Sequence, residues 1–515
     1  MTNFLSDEIK HSLALFSENS EKHSGFLDKI GEICGEKIAP NAAKVDKIGV
    51  TLEGNSVLLS QETIENIENL RSCGYVGAVL PEVYGGKSIP KLFDVAVIEM
   101  ISRADASLMT LVSLQEIGQL IYLYGSEEQK NRILPGIASG KLTCAVALTE
   151  SHAGSDLQAV ETKAREENGF WYFSGTKHFV TNGGADIMLV LARSEEGVSG
   201  GRGLSLFIRE KNSDNNCKIL KILNKFGICG SPTCTVRFNN AKCELLGKRR
   251  FGLVKYAAEI LLSARIGVAA QALGIAAAAL SEAEKYAARR MQFGKKIEEI
   301  PQVRAKLIKM HESVDAVRML LYFTASEFDA MQALSLGQQS ADVAAKQREI
   351  RSEVEFLVPL VKFFAAETAN KVTYDALQIH GGNGYLRGVA VERLARDARV
   401  TSIYEGTSQI QASAVASRIS NGTLIDFVKK LFSEQNFSGN YAKKLNFYAE
   451  KLTETAFSHR DDGKLEFCAE LFAESAAFLV LLALSLRFNE DFSDARKAGR
   501  FFAAIDFFIT QIELT

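Results

Sequence analysis

The spacing of apolar residues changes period twice along the chain. From the start to about Leu142, apolar positions recur mostly at helical intervals, as in "LSQETIENIENLRSCGYVGAVL". "PEVYGG" interrupts that pattern. "FDVAVIEMISRADASLMTLVSLQEIGQLIYLYG" then predicts long helices buried on more than one face. "SEEQKNRILPGIASGK" opens with a Ser-x-x-Gln cap and closes at a glycine. From about Thr143 to Gly247 the period becomes two. Asn168-Gly169 lies between two alternating segments and predicts a tight hairpin. "ADIMLVLARS" and "LSLFIRE" predict buried strands, and "TCTVRFNN" alternates before a turn. Helical spacing returns from about Phe251 in an Ala-rich stretch and continues through Pro301 to about Ser420. The remainder, ending in "AGRFFAAIDFFITQIELT", is also helix-like. The predicted class is α+β: a helical domain over residues 1–142, a β domain over 143–247, a second helical domain over 248–420, and extra C-terminal helices over 421–515.

Bulk composition narrows the function class. A chain of 515 residues has room for about two to four domains. Its 47% hydrophobic and 24% charged content is ordinary for a soluble globular protein. A net charge of -2 argues against a nucleic-acid partner or attraction to an anionic membrane. The eight cysteines are scattered, without a C-x-x-C pair or a metal-type cluster, so the expectation is free thiols, no metal, and a reducing compartment. The opening residues do not read as a leader, which makes a cytoplasmic location the expectation. The run from Ala476 to Leu486 is too short to span a bilayer, and no membrane association is expected.

Several short motifs carry chemistry-bearing residues, and each has an ordinary structural reading when taken alone. In "IYEGTSQIQ", Ser408 and Gln411 have the form of a capping box, which puts Glu405 on the loop entering a helix, beside the permissive Gly406. An isolated acid of this kind reads as an exposed loop residue. "ALTESHAGSD" offers the hydroxyls of Thr149 and Ser155 on backbone that a planar ligand can approach, or forms a polar turn. "HFVTNGGAD" reads as a strand running into a turn, with His178 structural. "RRMQFGK" reads as a solvated helix end closed by glycine. "QIHGGNGYL" follows helical sequence and does not fit the dinucleotide-binding fingerprint.

In combination these motifs are specific. "ALTESHAGSD", "GTKHFVTNGG", "RRMQFGK" and "QIHGGNGYLRGVAVERLARDARVTSIYEGTSQIQ" occur in one order and spacing, over roughly Asp28 to Ser420, that resembles the acyl-CoA dehydrogenase family of flavoproteins. The resemblance implies FAD as cofactor, an acyl-CoA substrate, and a C-terminal domain built like a four-helix bundle. It implies that Val146, Leu148, Thr149 and Ser155, with Phe179, Val180 and Thr181, hold the isoalloxazine ring. It further implies that Arg290, Gln292, Phe293, Gln302, Gln378 and Gly382 meet the adenine and pyrophosphate end of a neighbouring subunit's FAD, which means a homodimer or homotetramer. Thr407 and Gln409 are implied to touch FAD. Ser155, Arg265, Tyr404 and Gly406 are implied to line the substrate.

Glu405 matches the family's catalytic base. The α-proton of a thioester is weakly acidic, so its removal needs a positioned carboxylate and a polarised carbonyl. The resemblance implies α,β-dehydrogenation to the trans-2-enoyl-CoA, with flavin N5 as hydride acceptor and an electron-transfer flavoprotein as the final acceptor. Ala264 cannot serve as the base that some subfamilies carry there. The chain departs from common family residues at Ser151, Phe179, Cys229, Leu262 and Ala412. The alternatives are an oxygen-using acyl-CoA oxidase and a non-catalytic scaffold. The segment after about Asn421 corresponds to the C-terminal extension of larger relatives. Its charges are mixed, and the cluster Phe501, Phe502, Phe507 and Phe508 predicts burial against the protein itself.

Overall fold

The computed structural model describes residues 2–18, 20–336, 340–433, 440–460, 463–488 and 509–512. The cluster Phe501, Phe502, Phe507 and Phe508 lies outside the described residues. The fold is α+β, with helices, then a sheet, then helices. Two compact units are present, and neither is collinear with the chain: one holds 1–6, 23–267 and 387–397, the other 7–22, 268–386 and 398–515.

Helix α1 (Asp7–Phe16) belongs to the second unit. The N-terminal helices of the first unit are α2 (Ser24–Ile33), α3 (Ala39–Ile48), α4 (Gln61–Ser72), α5 (Lys91–Ala104), α6 (Ala106–Val112), α7 (Glu116–Tyr124) and α8 (Glu127–Ala138), with the small hairpin β1 (Thr51–Glu53) and β2 (Ser56–Leu58) between α3 and α4. The capping box read at Ser126 and Gln129 forms, with Ser126 Oγ accepting from the Gln129 N–H at 3.2 Å and Gln129 Oε1 accepting from the Ser126 N–H at 3.0 Å. Nearly every residue of α5 is buried, the apolar ones together with Asp94, Glu99 and Lys91, whose Nζ donates to Asp94 at 3.2 Å.

The sheet contains β3 (Cys144–Ala147), β4 (Lys163–Glu167), β5 (Phe170–Thr181), β6 (Ile187–Arg193), β7 (Leu204–Glu210), β8 (Cys217–Ile222) and β9 (Thr233–Leu245). Its order is β3-β6-β4-β5-β9-β7, with β8 on β9, and β7 also pairs with β6, so the sheet curls back on itself. The Asn168-Gly169 hairpin forms between β4 and β5 with φ of +52° and +79°, the signature of a type I′ turn. Phe173, Val180, Met188, Val190, Phe207, Val236 and Phe238 fill the interior.

The same unit resolves the departure at Cys229. The guanidinium of Arg396 stands 4.0 Å from the Cys229 sulfur and grips Asp46 through two bonds of 2.9 and 2.6 Å, with Glu392 on its other edge. A cation is therefore present beside position 229, supplied by a different element.

Helix α9 (Ala258–Ala287) leads into the second unit and ends at a hairpin of β10 (Met291–Gln292) and β11 (Lys295–Lys296). "RRMQFGK" is thus not a helix end closed by glycine. Phe293 and Gly294 are the two turn residues, with φ of +52° and +74°. The long helices α10 (Pro301–Leu336) and α11 (Ala341–His380) pack along each other. Helix α12 (Ala390–Arg399) precedes the Glu405 loop, and α13 (Ser408–Ser420) follows it. The C-terminal helices are α14 (Thr423–Ser433), α15 (Asn440–Ser458), α16 (Lys464–Phe467) and α17 (Ala469–Arg487).

Helix α17 packs on α10, α11, α13, α14 and α15. By length and composition alone, α17 and the stretch 252–287 are each long and apolar enough to cross a membrane, because helix α17 extends beyond the short run Ala476 to Leu486. Both are mainly buried within the protein, as core helices are. Helix α1 joins this unit because the Phe16 ring meets Phe323 and Phe488 edge-on, at 5.9 and 5.1 Å.

Candidate active site

The β-domain residues lie on β3 with the loop that follows it, and on the C-terminal half of β5. Val146 ends near the loop that carries Leu148, Thr149 and Ser155, and the backbone N–H of His178 on β5 donates to the Thr149 carbonyl at 2.9 Å. The His178 ring is structural, its Nδ1 sharing a 2.8 Å hydrogen bond with Thr235 Oγ1. Between Lys177 and Val180, two residues of β5 oppose one of β9, which is a β-bulge. Phe179 occupies that bulge at φ +56°, a conformation costly for a residue with a Cβ, and the residue is 63% exposed. Val180 points into the core, so it can offer a ligand only backbone, whereas Thr181 is part-exposed.

A flat, hydrogen-bonding ring fits these residues. Phe179 is largely exposed on the strand, where Thr181 is part-exposed, and on the loop Thr149 is part-exposed and Ser155 exposed. A Cβ at Gly154 in the same loop would meet nothing of its own chain within 4 Å.

Beneath the loop lies a pair that reading the sequence missed. Lys177 is fully buried, and its Nζ donates to Glu150 Oε1 and to the Leu148 carbonyl, both at 2.8 Å. Glu150 also accepts from the Thr162 hydroxyl at 2.6 Å and from the backbone N–H groups of Glu161 and Thr162 at 2.9 Å. Burial pushes the Glu150 carboxyl up, but the Lys177 charge and these donors outweigh it and hold it down at about 2. The available signal was register: Lys177 sits at an inward position of β5, two pairs along from Phe173. Arg265 lies in the same unit on α9.

The second unit carries the Glu405 loop. The N-cap of α13 is Thr407, whose Oγ1 accepts from the Ile410 N–H at 3.4 Å, and not Ser408 as the capping-box pattern suggested. Ser408 instead donates to Glu367 at 2.5 Å. Gln411, one position too far along for a box, donates to the Glu405 and Gly406 carbonyls at 3.1 and 3.2 Å. Lys362, fully buried on α11, donates to the Gly406 carbonyl at 2.6 Å. Before the loop, the Tyr404 N–H bonds the Val400 carbonyl at 3.1 Å, and the Tyr404 hydroxyl bonds Gln271 of α9. Burial, and then the charge of Glu405, push the Tyr404 phenol well up. Between these anchors Glu405 is held at φ +54°, followed by Gly406 at +92°. A non-glycine residue in that region costs about 1–3 kcal/mol and persists where its surroundings over-determine it.

Gln409 donates to Glu470 of α17 at 2.7 Å, which brings the C-terminal helices to the first turn of α13. Glu474, one turn further along α17, has its carboxyl raised by burial, then by Glu470 and Glu367.

Arg290, Gln292, Phe293, Gln302, Gln378 and Gly382 form a separate group. Tyr286 joins the end of α9 to the end of α11, stacking on His380 at 4.3 Å and accepting from Asn383 at 2.9 Å. Tyr286 and Gln271 are fifteen residues apart on α9, about 22 Å at helical rise, so this group is remote from Glu405 in the same chain. All six of these residues are exposed, as is Tyr385, with Phe293 90% and Tyr385 92% accessible. A Cβ at Gly382 would meet nothing of its own chain within 4 Å.

The sequence matches family models described as the acyl-CoA dehydrogenase N-terminal domain over residues 20–141, middle domain over 145–241 and C-terminal domain over 254–420. An acyl-CoA dehydrogenase of Bacillus subtilis is 38% identical over 363 residues, covering 69% of this chain and 90% of the relative. A 3-(aryl)acrylate reductase of Clostridium sporogenes is 34% identical over 406 residues, covering 78% of this chain and 99% of the relative. The solved structure of Caenorhabditis elegans ACDH-11 in complex with C11-CoA has a TM-score of 0.80 at 21% identity, covering 95% of this chain and 87% of that one. At that identity the likeness is one of fold, and its coverage carries the likeness past residue 420.

Proposed function

The chain belongs to the acyl-CoA dehydrogenase family of FAD-binding oxidoreductases, and on that premise we propose that it dehydrogenates an acyl-CoA thioester between Cα and Cβ, with Glu405 as the base. The observation that carries this reading is the mounting of Glu405: one carboxylate on left-handed backbone, with hydrogen-bonded anchors before and after it. Such strain suits a group whose position matters more than local stability.

In this reading Glu405 takes the α-proton, and its backbone N–H helps polarise the thioester carbonyl. Thr149, Phe179 and Thr181 orient the flavin ring, and Ser155, Arg265, Tyr404 and Gly406 hold the substrate. FAD, when bound, supplies the acceptor for the β-hydrogen, taken as hydride. An electron-transfer flavoprotein then collects the electrons. The distance within one chain between the Phe293 group and Glu405 supports a homo-oligomer in which that group serves a neighbour's cofactor.

The test is anaerobic titration of the purified yellow protein with acyl-CoA thioesters of increasing length and branching. Bleaching of the flavin by at least one of them is expected. A flavin that no saturated acyl-CoA bleaches counts against the reading.

The relation to the aryl acrylate reductase favours a second reading, reduction of an activated double bond. The same groups serve it in reverse: protonated Glu405 delivers the proton to Cα while hydride goes to Cβ. Prereduced protein that is reoxidised by an enoyl or aryl-acryloyl substrate, yet is not bleached by the saturated partner, identifies that direction.

A further inference from the structure

We propose that Lys362 is a positioning residue for Glu405, acting through the Gly406 carbonyl. This inference rests on the reading of Glu405 as the base.

Lys362 lies within a stretch of α11 whose neighbours Val358, Leu360, Val361 and Phe363 are all buried, and it is fully buried itself. An ammonium is costly in such surroundings unless its hydrogens find acceptors. Its Nζ donates to the Gly406 carbonyl at 2.6 Å, a charge-assisted bond to a backbone acceptor. The Gln411 amide reaches the same carbonyl at 3.2 Å and the Glu405 carbonyl at 3.1 Å. On the other side, Tyr404 is tied to Val400 through its N–H and to Gln271 through its hydroxyl.

The peptide groups around Glu405 are therefore pinned, and φ at +54° is what connects them. Loss of the ammonium removes the charge-assisted anchor on the Gly406 carbonyl, which loosens the hold on the left-handed residue and lets its Cβ and carboxylate shift from their present direction. A base displaced by about 1 Å loses rate on the order of 100-fold while the remaining substrate contacts survive. The role is thus separable from binding.

The test uses the full-length holoenzyme with an acyl-CoA that bleaches it. Lys362→Met keeps the length of the side chain and removes the donor. Flavin occupancy, acyl-CoA affinity from the flavin spectrum, and the single-turnover rate of flavin reduction are measured on the FAD-bound fraction. The expected result is FAD retained, affinity within about threefold, and a reduction rate roughly 10–100-fold lower. A rate within about twofold of the parent, whatever happens to thermal stability, overturns the inference. If Lys362→Met does not fold, Lys362→Leu removes the same donor with a smaller side chain and must show the same split, and a normal rate there overturns the inference equally. Glu405→Gln is run alongside. A parent that no acyl-CoA bleaches, or an active Glu405→Gln, defeats the assignment of the base. A parent that works, with Glu405→Gln dead and Lys362→Met normal, defeats the Lys362 inference alone.

Discussion

Lys177 and Glu150 form a buried ion pair, Nζ to Oε1 at 2.8 Å, that fastens the Thr149–Ser155 loop to strand β5 immediately before the Phe179 bulge. Removing one partner of a buried pair leaves an uncompensated charge and costs about 3–5 kcal/mol. Lys177→Met is therefore expected to lower the melting temperature and to weaken FAD retention together. Adding Glu150→Gln recovers part of the loss, because the stranded carboxylate is gone. Thermal melts and flavin release on the two singles and the double form a cycle. Strictly additive losses would show that the two side chains act independently.

Asp397 supplies a pH dependence of defined sign. It is buried and accepts from the Ile228 N–H at 2.5 Å, and burial pushes its carboxyl up to about 7. In the unfolded chain an aspartate ionises near 3.9. Its folded pKa is raised, so the unfolded state releases the proton first, and stability falls as pH climbs from about 4 to 7. Asp397→Asn keeps the acceptor and removes the titration. It should flatten that part of the denaturation-midpoint profile, and an unchanged slope would assign the effect to another group.

Glu405→Gln should retain FAD and still perturb the flavin spectrum on binding acyl-CoA. The amide cannot take the proton, so flavin reduction is expected to fall by about 10²–10⁴. Stopped-flow reduction under anaerobic conditions reads this directly. Near-normal reduction would place the base elsewhere.

Arg290 lies beside a hairpin whose turn residue Phe293 is 90% exposed, a poor arrangement for an aromatic ring that nothing else covers. Arg290→Ala is expected to cut FAD affinity by about 10–100-fold through loss of a charge-assisted contact, and to loosen self-association. Light scattering and flavin occupancy check both on one sample. A fully flavinated monomer would contradict the shared-site reading.

Truncation after Ser420 removes α17 from α10, α11 and α13 and takes away Glu470, the partner of Gln409. The uncovered faces include buried Val415, Ala416 and Ile419 of α13. Aggregation or loss of FAD is expected on gel filtration. The opposing result is a truncated protein that stays soluble and yellow while the full chain sediments with anionic vesicles.

Much of the fold was legible because periodicity is a local property. The change from helical spacing to alternation near Thr143 marks where the sheet begins, and Asn168-Gly169 forms a type I′ turn because those two residues tolerate φ > 0. The Ser126 box forms because its partners lie within one turn of helix. The same local rule misplaced the cap at Ser408 by one residue. A hydroxyl at Thr407 and one at Ser408 look alike in sequence, and Glu367, forty-one positions away, claims the second. The Phe293 hairpin was missed because a Phe-Gly turn lacks the asparagine or aspartate that signals one.

The amino-acid sequence by itself determined the order of helices and sheet, the left-handed turn at Asn168-Gly169, and the candidate base. Only the tertiary structure decided what holds that base. Lys177 and Lys362 are ordinary lysines in sequence, and their burial is settled by elements packing around them. Glu150 and the Gly406 carbonyl stand 27 and 44 positions away from them along the chain. A hydrogen bond depends on where two atoms meet in space, and local spacing carries no record of a meeting between distant segments.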